Sequence, residues 1–199
     1  MKKTANTLQP IDDLLANRWS GRAYDPARPV SEVQVVSLLE AARWAPSCYG
    51  DQPWRFIVWD RSVDAEGWQQ AFDCLMPGNQ AWVKDAPLLF LVTAGSLFTH
   101  NGLPNRWGQY DTGAAAENLC LQATSMGMMA HQMGGFDADR ARQAFAVPEE
   151  YALMAMVSVG YPADTATLSG EVLERETAPR KRRELGELFF KGSWGKPAI

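Results

Sequence analysis

The sequence is poor in cysteine, and it lacks the spacings that would make cysteine a scaffold or a metal site. Its three cysteines, Cys48, Cys74 and Cys120, are odd in number and form no Cys-x-x-Cys pair. Disulfide frameworks and zinc ribbons need paired cysteines at short spacing. We therefore predict no disulfide scaffold, no metal site and a reducing, cytoplasmic location.

Long apolar runs and an excess of positive charge are also missing. No stretch approaches the roughly 18 consecutive apolar residues that a membrane span needs, and no apolar run follows the first six residues as a signal peptide would require. The formal net charge is −4, which gives no reason to expect nucleic acid or an anionic membrane as a partner. These absences predict a soluble protein.

Four common catalytic motifs are absent as well. The sequence has no Gly-x-Gly-x-x-Gly after a strand, no Gly-x-x-x-x-Gly-Lys-[Ser/Thr], no His-Glu-x-x-His and no Gly-x-Ser-x-Gly. A Rossmann fold, a P-loop NTPase, a zincin and a hydrolase are therefore not supported. With 199 residues, 46% of them hydrophobic, the chain has the length and composition of one globular domain covering 1–199.

Hydrophobic periodicity predicts helices that alternate with apolar strands. Ser31 and Gln34 have the form of a capping box, which opens a helix that stops at Pro46. Asp111 is predicted to cap a long, nearly all-apolar helix that ends at Gly127, and such a helix is buried in the core or against another subunit. The predicted strands cover 55–59, 88–93, 128–133 and 151–161, and shorter helices are predicted over 10–17, 62–75, the turn before 85, and after 137.

A polar turn between two prolines, at 46–53, stands out between the helix and the first strand. Proline fixes its own backbone and restricts the residue before it, so both ends of the turn are held. The turn presents Ser47, Cys48 and the two-ended amide of Gln52. It is either an ordinary helix-to-strand loop or a rim for a flat ligand with several hydrogen-bonding groups.

Cations and glycines mark three further candidate sites. Arg18 and Arg22 flank Ser20, a set that suits a phosphate or carbonyl, although two solvated arginines beside a turn are an equal interpretation. Gly134 and Gly135 follow a strand and let backbone approach something flat. The basic run at 180–183 reads, by itself, as a solvated patch or a nucleic-acid contact.

Taken together and in this order, these motifs resemble those of the nitroreductase family. Ala-Pro-Ser-Cys-Tyr-Gly-Asp-Gln-Pro-Trp at 45–54 is similar to the family's flavin-contacting turn, with Cys48 and Gly50 replacing a Ser and an Asn. The segment 18–24 is similar to its Arg-x-Ser-x-[Arg/Lys]-x-[Phe/Tyr] motif, and 180–183 to its phosphate-gripping Arg-Lys-x-[Arg/Lys]. The resemblance covers 18–195.

The resemblance implies a fold and a cofactor. The fold is α+β, a three-layer α/β/α sandwich with a central, mostly antiparallel sheet and an extended C-terminal arm at about 184–199 that lies on a neighbouring subunit. The cofactor is FMN, bound at the interface of a homodimer. The residues that the resemblance places at the flavin are Arg18, Trp19, Ser20, Arg22, Pro46, Ser47, Cys48, Tyr49, Gln52, Asn79, Gln132, Met133, Gly134, Gly135, Arg180 and Arg182.

The implied roles differ along the flavin. Arg18, Ser20 and the alternate residues Arg180 and Arg182 hold the phosphate, while Arg22 lies by the pyrimidine ring. Gly134 is the expected backbone donor to flavin N5. Trp82 stands where some relatives carry a lysine over the flavin N1–O2 edge, so Arg22 is expected to act alone.

The implied activity is oxidation of NAD(P)H through the flavin and reduction of a nitroaromatic, quinone or similar acceptor, in a ping-pong cycle. No side chain is expected to act as a catalytic residue, because the chemistry takes place on the flavin. Two alternatives remain: a non-catalytic FMN carrier or sensor on the same fold, and a nucleic-acid-binding protein that uses Arg180 to Arg183.

Overall fold

A central sheet of four antiparallel strands organises the chain. The computed structural model describes residues 3–199, and within them the strands are β1 (Trp54–Asp60), β2 (Leu88–Gly95), β3 (Met129–Met133) and β4 (Tyr151–Gly160). Their order across the sheet is β1-β2-β4-β3, and every neighbouring pair is antiparallel. The prediction of a mostly antiparallel sheet is confirmed.

Helices cover both faces of this sheet, so the domain has three layers. The helices are α1 (Asp13–Asn17), α2 (Glu32–Arg43), α3 (Ala65–Phe72), α4 (Pro77–Val83), α5 (Gly108–Ser125), α6 (Ala138–Ala144), α7 (Gly170–Thr177) and α8 (Leu185–Leu188). Helices α2 and α5 pack on one face, and α3, α4 and α6 contribute buried residues to the core on the other. The predicted α/β/α sandwich is confirmed.

Strand β2 shows why the sequence forms this arrangement. Its side chains alternate between the two cores: Leu88, Phe90 and Val92 join the core under α2 and α5, while Leu89 and Leu91 join the other. All five are buried. A strand covered on both faces has no polar alternation, which is why it reads as one continuous apolar run.

Three helix starts show what sequence pattern can and cannot predict. Ser31 caps α2, and its side chain and that of Gln34 form the predicted reciprocal capping box. Asp111 does not cap α5, which begins three residues earlier at Gly108; the prediction was wrong. Helix α4 also begins earlier than predicted, at Pro77, because proline is tolerated in the first turn of a helix, where its missing N–H costs no hydrogen bond.

The C-terminal segment turns back on itself instead of running extended. Lys191 donates its backbone N–H to the carbonyl of Lys196 (2.9 Å), and Ala198 donates to Phe189 (2.8 Å). The prediction of an extended segment was therefore wrong for these residues. The Trp194 side chain at the tip is 90% exposed; whether the arm lies on a second subunit stays a prediction.

Gly108 lies where α5 meets the end of β2, and a methyl group would not fit there. A Cβ at Gly108 would lie 2.2 Å from the backbone oxygen of Gly95. We expect Gly108→Ala to lower the free energy of unfolding by about 1–3 kcal/mol, because a backbone oxygen moves only with its strand. A Cβ at Gly113 in the same helix would meet no atom within 4 Å, so Gly113→Ala should be neutral or stabilising by up to about 1 kcal/mol. Urea unfolding of both variants measures the difference, and equal stability would contradict this packing.

Candidate functional site

A cationic cavity of about 290 Å³ lies between the N-terminal turn and the C-terminal segment. Six of its lining residues are basic: Lys3, Arg18, Arg22, Arg175, Arg180 and Arg182. Trp19, Ser20 and Glu176 line it as well. The structure therefore brings the predicted phosphate residues, which are some 160 positions apart in sequence, to one place.

The N-terminal turn is fixed by its own polar groups and by α5. Arg18 Nη1 donates to Ser20 Oγ at 3.3 Å, and Arg18 Nε lies 3.4 Å from the Oε1 atom of Glu117 in α5. Burial raises the pKa of the Glu117 carboxyl, and the Arg18 charge acts against this shift. The ion pair holds one edge of the Arg18 guanidinium and leaves its remaining donors at the cavity.

Glu176 is the one acidic residue that lines the cavity, and no sequence motif singles it out. Its side chain is 3% exposed, and its Oε1 atom accepts the backbone N–H of Arg22 at 2.9 Å. Burial raises the pKa of this carboxyl, while the hydrogen bond from Arg22 and the charge of Lys3 oppose the rise. Glu176 thus ties helix α7 to the turn that carries the cations.

The raised pKa of Glu176 predicts a pH-dependent contribution to stability. A carboxyl whose pKa is higher in the folded chain binds its proton more tightly there, so folding is favoured below the ordinary carboxyl pKa and loses this contribution as pH rises through the raised value. Glu176→Gln removes the titration. The free energy of unfolding of the native chain should therefore fall relative to that of Glu176→Gln between about pH 4 and pH 7. Urea unfolding across that range tests the sign; a relative gain by the native chain would show that Lys3 and Arg22 outweigh burial.

The two C-terminal arginines differ in what they already bind. Arg180 Nη1 donates to the backbone oxygens of Lys3 (2.8 Å) and Ala16 (2.7 Å), which fastens the C-terminal segment to the N-terminal one. Burial lowers the pKa of Arg180, and the nearby charges of Arg18 and Arg182 lower it further. Arg182 is exposed and donates only to the adjacent backbone oxygen of Lys181, at 2.9 Å, among the described residues. Arg182 therefore has more donors available for a ligand than Arg180.

Arg22 lies beside two rings in contact, those of Trp82 and His131. Its guanidinium carbon is 5.8 Å from the centre of the Trp82 ring, and Trp82 lies 4.5 Å from the ring of His131. His131 Nδ1 is 3.0 Å from the carbonyl oxygen of Gly21. Burial lowers the pKa of His131, the hydrogen bond with Gly21 opposes this shift, and the charges of Arg22 and Arg18 lower the pKa further. Arg22 places a positive charge beside these rings.

The polar turn at 46–53 lines a second, open cavity of about 460 Å³. Tyr49 and Gln52 have positive φ values of 55° and 51°, which are uncommon for residues with a side chain. Two bonds hold this backbone: Ser47 Oγ accepts the N–H of Gln52 at 3.0 Å, and Asp111 Oδ2 accepts the N–H of Cys48 at 2.9 Å. Asp111, predicted as a helix cap, instead fastens the turn to α5.

The glycine segment meets Asn79. Asn79 Nδ2 donates to the carbonyl of Gly135 at 2.9 Å, and a Cβ on Gly135 would lie 2.7 Å from that nitrogen. Gly134 is exposed, and a Cβ there would meet no atom within 4 Å. Gln132 is exposed and Met133 buried, so their side chains face opposite sides of the strand.

Within one chain, the cationic cavity and the polar turn are fixed to α5 at two positions that face different directions. Glu117 contacts Arg18 and Asp111 contacts the polar turn; six residues along a helix correspond to about 9 Å of rise and a rotation of about 120° between their directions. The predicted residues therefore fall into three groups: those at the cationic cavity, those of the polar turn, and Asn79 with the segment 132–135. Pro46, Ser47 and Gln52 line the second cavity and the cations line the first.

Residues 3–199 contain neither a metal-binding cluster nor a membrane-spanning helix. No group of three or more His, Cys, Asp or Glu side chains in this part of the chain is placed to hold a metal ion. No helix within it combines the length and apolar composition that crossing a bilayer requires.

Comparison with known proteins gives consistent matches. The sequence model described as "Nitroreductase family" matches residues 15–161. A crystal structure described as an oxidoreductase containing FMN is 34% identical, with a TM-score of 0.87 over 96% of both chains. An uncharacterized 15.4 kDa protein of Mycolicibacterium smegmatis is 40% identical over 72% of this chain and 99% of its own. The major NAD(P)H-flavin oxidoreductase of Aliivibrio fischeri is 35% identical over 38% of this chain and 34% of its own.

Proposed function

The chain belongs to the nitroreductase family, and from this premise we propose that it is an FMN-dependent oxidoreductase. It takes electrons from NAD(P)H and passes them through bound flavin to a small acceptor such as a quinone or a nitroaromatic compound. The whole chain acts as one flavin-binding domain. The observation that carries this proposal is the cationic cavity, because it gathers the separate basic motifs around one anion-sized space.

The donors of the cavity fit the phosphate end of FMN. A phosphate monoester carries close to two negative charges near neutral pH, and Arg182, Ser20 and the remaining donors of Arg18 can reach it from different sides. Ser20 and Arg182 are exposed, so these groups are open to a ligand. An overall acidic chain concentrates its positive charge here, which supports a specific anion as the ligand.

The backbone around Gly134 fits the flat end of the same cofactor. Open space at its missing Cβ lets a planar ring approach the strand end. Bound FMN would supply the hydride acceptor. Arg22, with its positive charge beside Trp82, would stabilise negative charge on the reduced pyrimidine ring.

We propose that a second copy of the chain completes the site. Asp111 and Glu117 fix the polar turn and the cationic cavity to α5 in directions about 120° apart, which favours a site in which one chain supplies the polar turn and the other supplies the cations. Exposed apolar side chains of α2 and α5 support such a contact: Trp44, which precedes the turn, is 74% exposed, and Val33 and Val36 on α2 and Tyr110 on α5 are also exposed. Sedimentation velocity should give twice the chain mass of 22.0 kDa.

The reaction balances without a catalytic side chain. NAD(P)H gives up two electrons and one proton as a hydride, solvent supplies the second proton, and a quinone becomes a hydroquinone. The protein binds and orients the reactants and tunes the cofactor. The residues named here are therefore binding residues.

The test is anaerobic mixing of the purified protein, loaded with FMN, with NADH and with NADPH. We expect one of the two to bleach the oxidised-flavin absorbance, and a quinone added afterwards to restore it. A protein that keeps FMN but is reduced by neither would be a carrier or sensor. A protein that holds no flavin in excess FMN, and instead shifts DNA or RNA in a salt-dependent way, would favour the nucleic-acid interpretation of Arg180 to Arg183.

A further inference from the structure

Three rings gather at the edge of the polar turn. The ring centres of Tyr49 and Phe98 are 5.8 Å apart, those of Tyr49 and His100 5.5 Å, and those of Phe98 and His100 5.2 Å. Tyr49 is 84% exposed, and His100 is exposed as well. We call Tyr49, Phe98 and His100 the ring cluster. It joins the turn after α2 to the loop after β2.

A buried carboxylate holds this cluster in place. Asp51 Oδ1 accepts the backbone N–H of Thr99 at 2.8 Å and its hydroxyl at 2.6 Å, and Asp51 Oδ2 accepts from Asn105 Nδ2 at 3.3 Å. The Asp51 side chain is 1% exposed and lies 3.9 Å from His100 Nδ1. Although burial raises the pKa of Asp51, the hydrogen bonds from Thr99 outweigh it and bring that pKa below its ordinary value. The loop is thus fixed to the turn by an ionised group.

The backbone of the turn points one ring of the cluster outward. Tyr49 has a φ of 55° and Gly50 a φ of 66°, and Tyr49 keeps this uncommon conformation although its side chain gains little burial. An exposed aromatic ring that is held in place loses little side-chain conformational entropy when a ligand binds to its face or edge. A rigid surface of this kind suits an aromatic ligand better than a flexible surface would.

We propose that the ring cluster is the docking surface for the oxidising substrate, and that it selects flat, uncharged aromatic acceptors. The inference rests on the proposed function, since the acceptor has to approach the flavin next to the polar turn. The ring cluster contains no Lys or Arg, and the one cation of the loop at 96–107, Arg106, lies with its guanidinium carbon 4.6 Å from the centre of the Trp107 ring. A nicotinamide coenzyme carries phosphates that need positive charge for binding, so the cluster fits the acceptor better than the coenzyme.

The first test measures binding without turnover. 2-Methyl-1,4-naphthoquinone is titrated calorimetrically into the oxidised, FMN-loaded protein with no electron donor present. Because each aromatic contact contributes modestly, we expect the double variant Phe98→Ala/His100→Ala to raise the quinone Kd by about tenfold. Phe98→Tyr keeps a ring and should keep the native Kd. Leu103→Ala, which removes an exposed apolar side chain of the same loop outside the ring cluster, is the matched control.

The second test separates the two half-reactions. In the double variant the KM for the quinone should rise by a similar factor, while the rate of flavin reduction by NAD(P)H and the rate of reoxidation by ferricyanide, which has no ring, should not change. Thermal unfolding of each variant checks that the loop still folds.

Each other outcome overturns the inference. An unchanged quinone Kd in the double variant, or an equal loss in Leu103→Ala, would remove the special role of the rings. A loss confined to the reaction with NAD(P)H would assign the cluster to the coenzyme. A native protein that holds no FMN would overturn the proposed function and this inference together, whereas a flavin-loaded, reducible protein with an unaffected variant would overturn this inference alone.

Discussion

We expect Arg182→Ala to bind FMN about 10- to 100-fold more weakly than the native chain, while its affinity for riboflavin stays unchanged. Hydrogen bonds to a charged group typically contribute about 1.5–3 kcal/mol, and riboflavin lacks the phosphate that would accept them. Arg182 lines the cationic cavity and its guanidinium donates only to the Lys181 carbonyl among the described residues. Fluorescence titration of flavin-free protein with each ligand measures both affinities.

Neighbouring cations provide the control. Lys181 and Arg183 flank Arg182 in the same exposed run but do not line the cavity. Lys181→Ala and Arg183→Ala should change the FMN affinity by less than about threefold, because exposed charges outside contact distance are screened by salt. If all three variants lose FMN equally, the run acts only through its overall charge. If Arg182→Ala loses riboflavin as well, Arg182 does not contact the phosphate.

Local pattern was sufficient for most of the fold. The capping box at Ser31 and Gln34 needs only residues three apart, and the apolar run of β2 follows from its own burial on both faces. Side-chain periodicity and caps depend on short segments, so a single sequence reveals them. Sheet order does not follow from periodicity and was not predicted. The family resemblance implied only a mostly antiparallel sheet, and the structure agrees with that.

Sequence pattern failed where one residue had two possible partners. Asp111 precedes an apolar stretch and could cap it, but the backbone N–H of Cys48, 63 positions away, takes its carboxylate instead. An Asp bonds either to its own helix or to a remote donor, and only the tertiary fold decides which. The C-terminal residues were predicted to be extended, yet the backbone bonds between Lys191 and Lys196 and between Phe189 and Ala198 close a turn.

The cationic residues of the candidate site could be predicted from the sequence, whereas the residues that hold them in place could not. The arginines that line the cavity could be identified from the sequence, because the family's motifs are defined by the types of side chain at each position. Glu176 lies in a polar helix that also contains Glu171 and Glu174, and no local signal separates a buried carboxylate from an exposed one. The ring cluster was missed for the same reason: Phe98 and His100 follow a strand, and their contact with Tyr49 spans about 50 positions of sequence.

Gly134→Ala tests the opposite end of the proposed cofactor. The added methyl would meet no protein atom within 4 Å, and Gly134 is not among the glycines with positive φ, so the free energy of unfolding of the flavin-free protein should stay the same. If a flavin ring lies against this backbone, the methyl group occupies its space. Overpacking of a close contact costs about 1–3 kcal/mol, which corresponds to roughly 5- to 150-fold weaker binding. FMN and riboflavin should be affected alike, because both carry the ring.

Gly78→Ala is the matched control. A Cβ at Gly78 also meets no atom within 4 Å, and Gly78 lies in the first turn of α4 and not at the end of β3. It should leave both flavin affinities unchanged. If Gly134→Ala binds both flavins like the native chain, the ring does not approach the end of β3. The two glycine variants and Arg182→Ala together locate the ligand. We expect Arg182→Ala to lose affinity for FMN alone and Gly134→Ala to lose affinity for both flavins. This pair of results requires one molecule whose phosphate lies in the cationic cavity and whose ring reaches the end of β3.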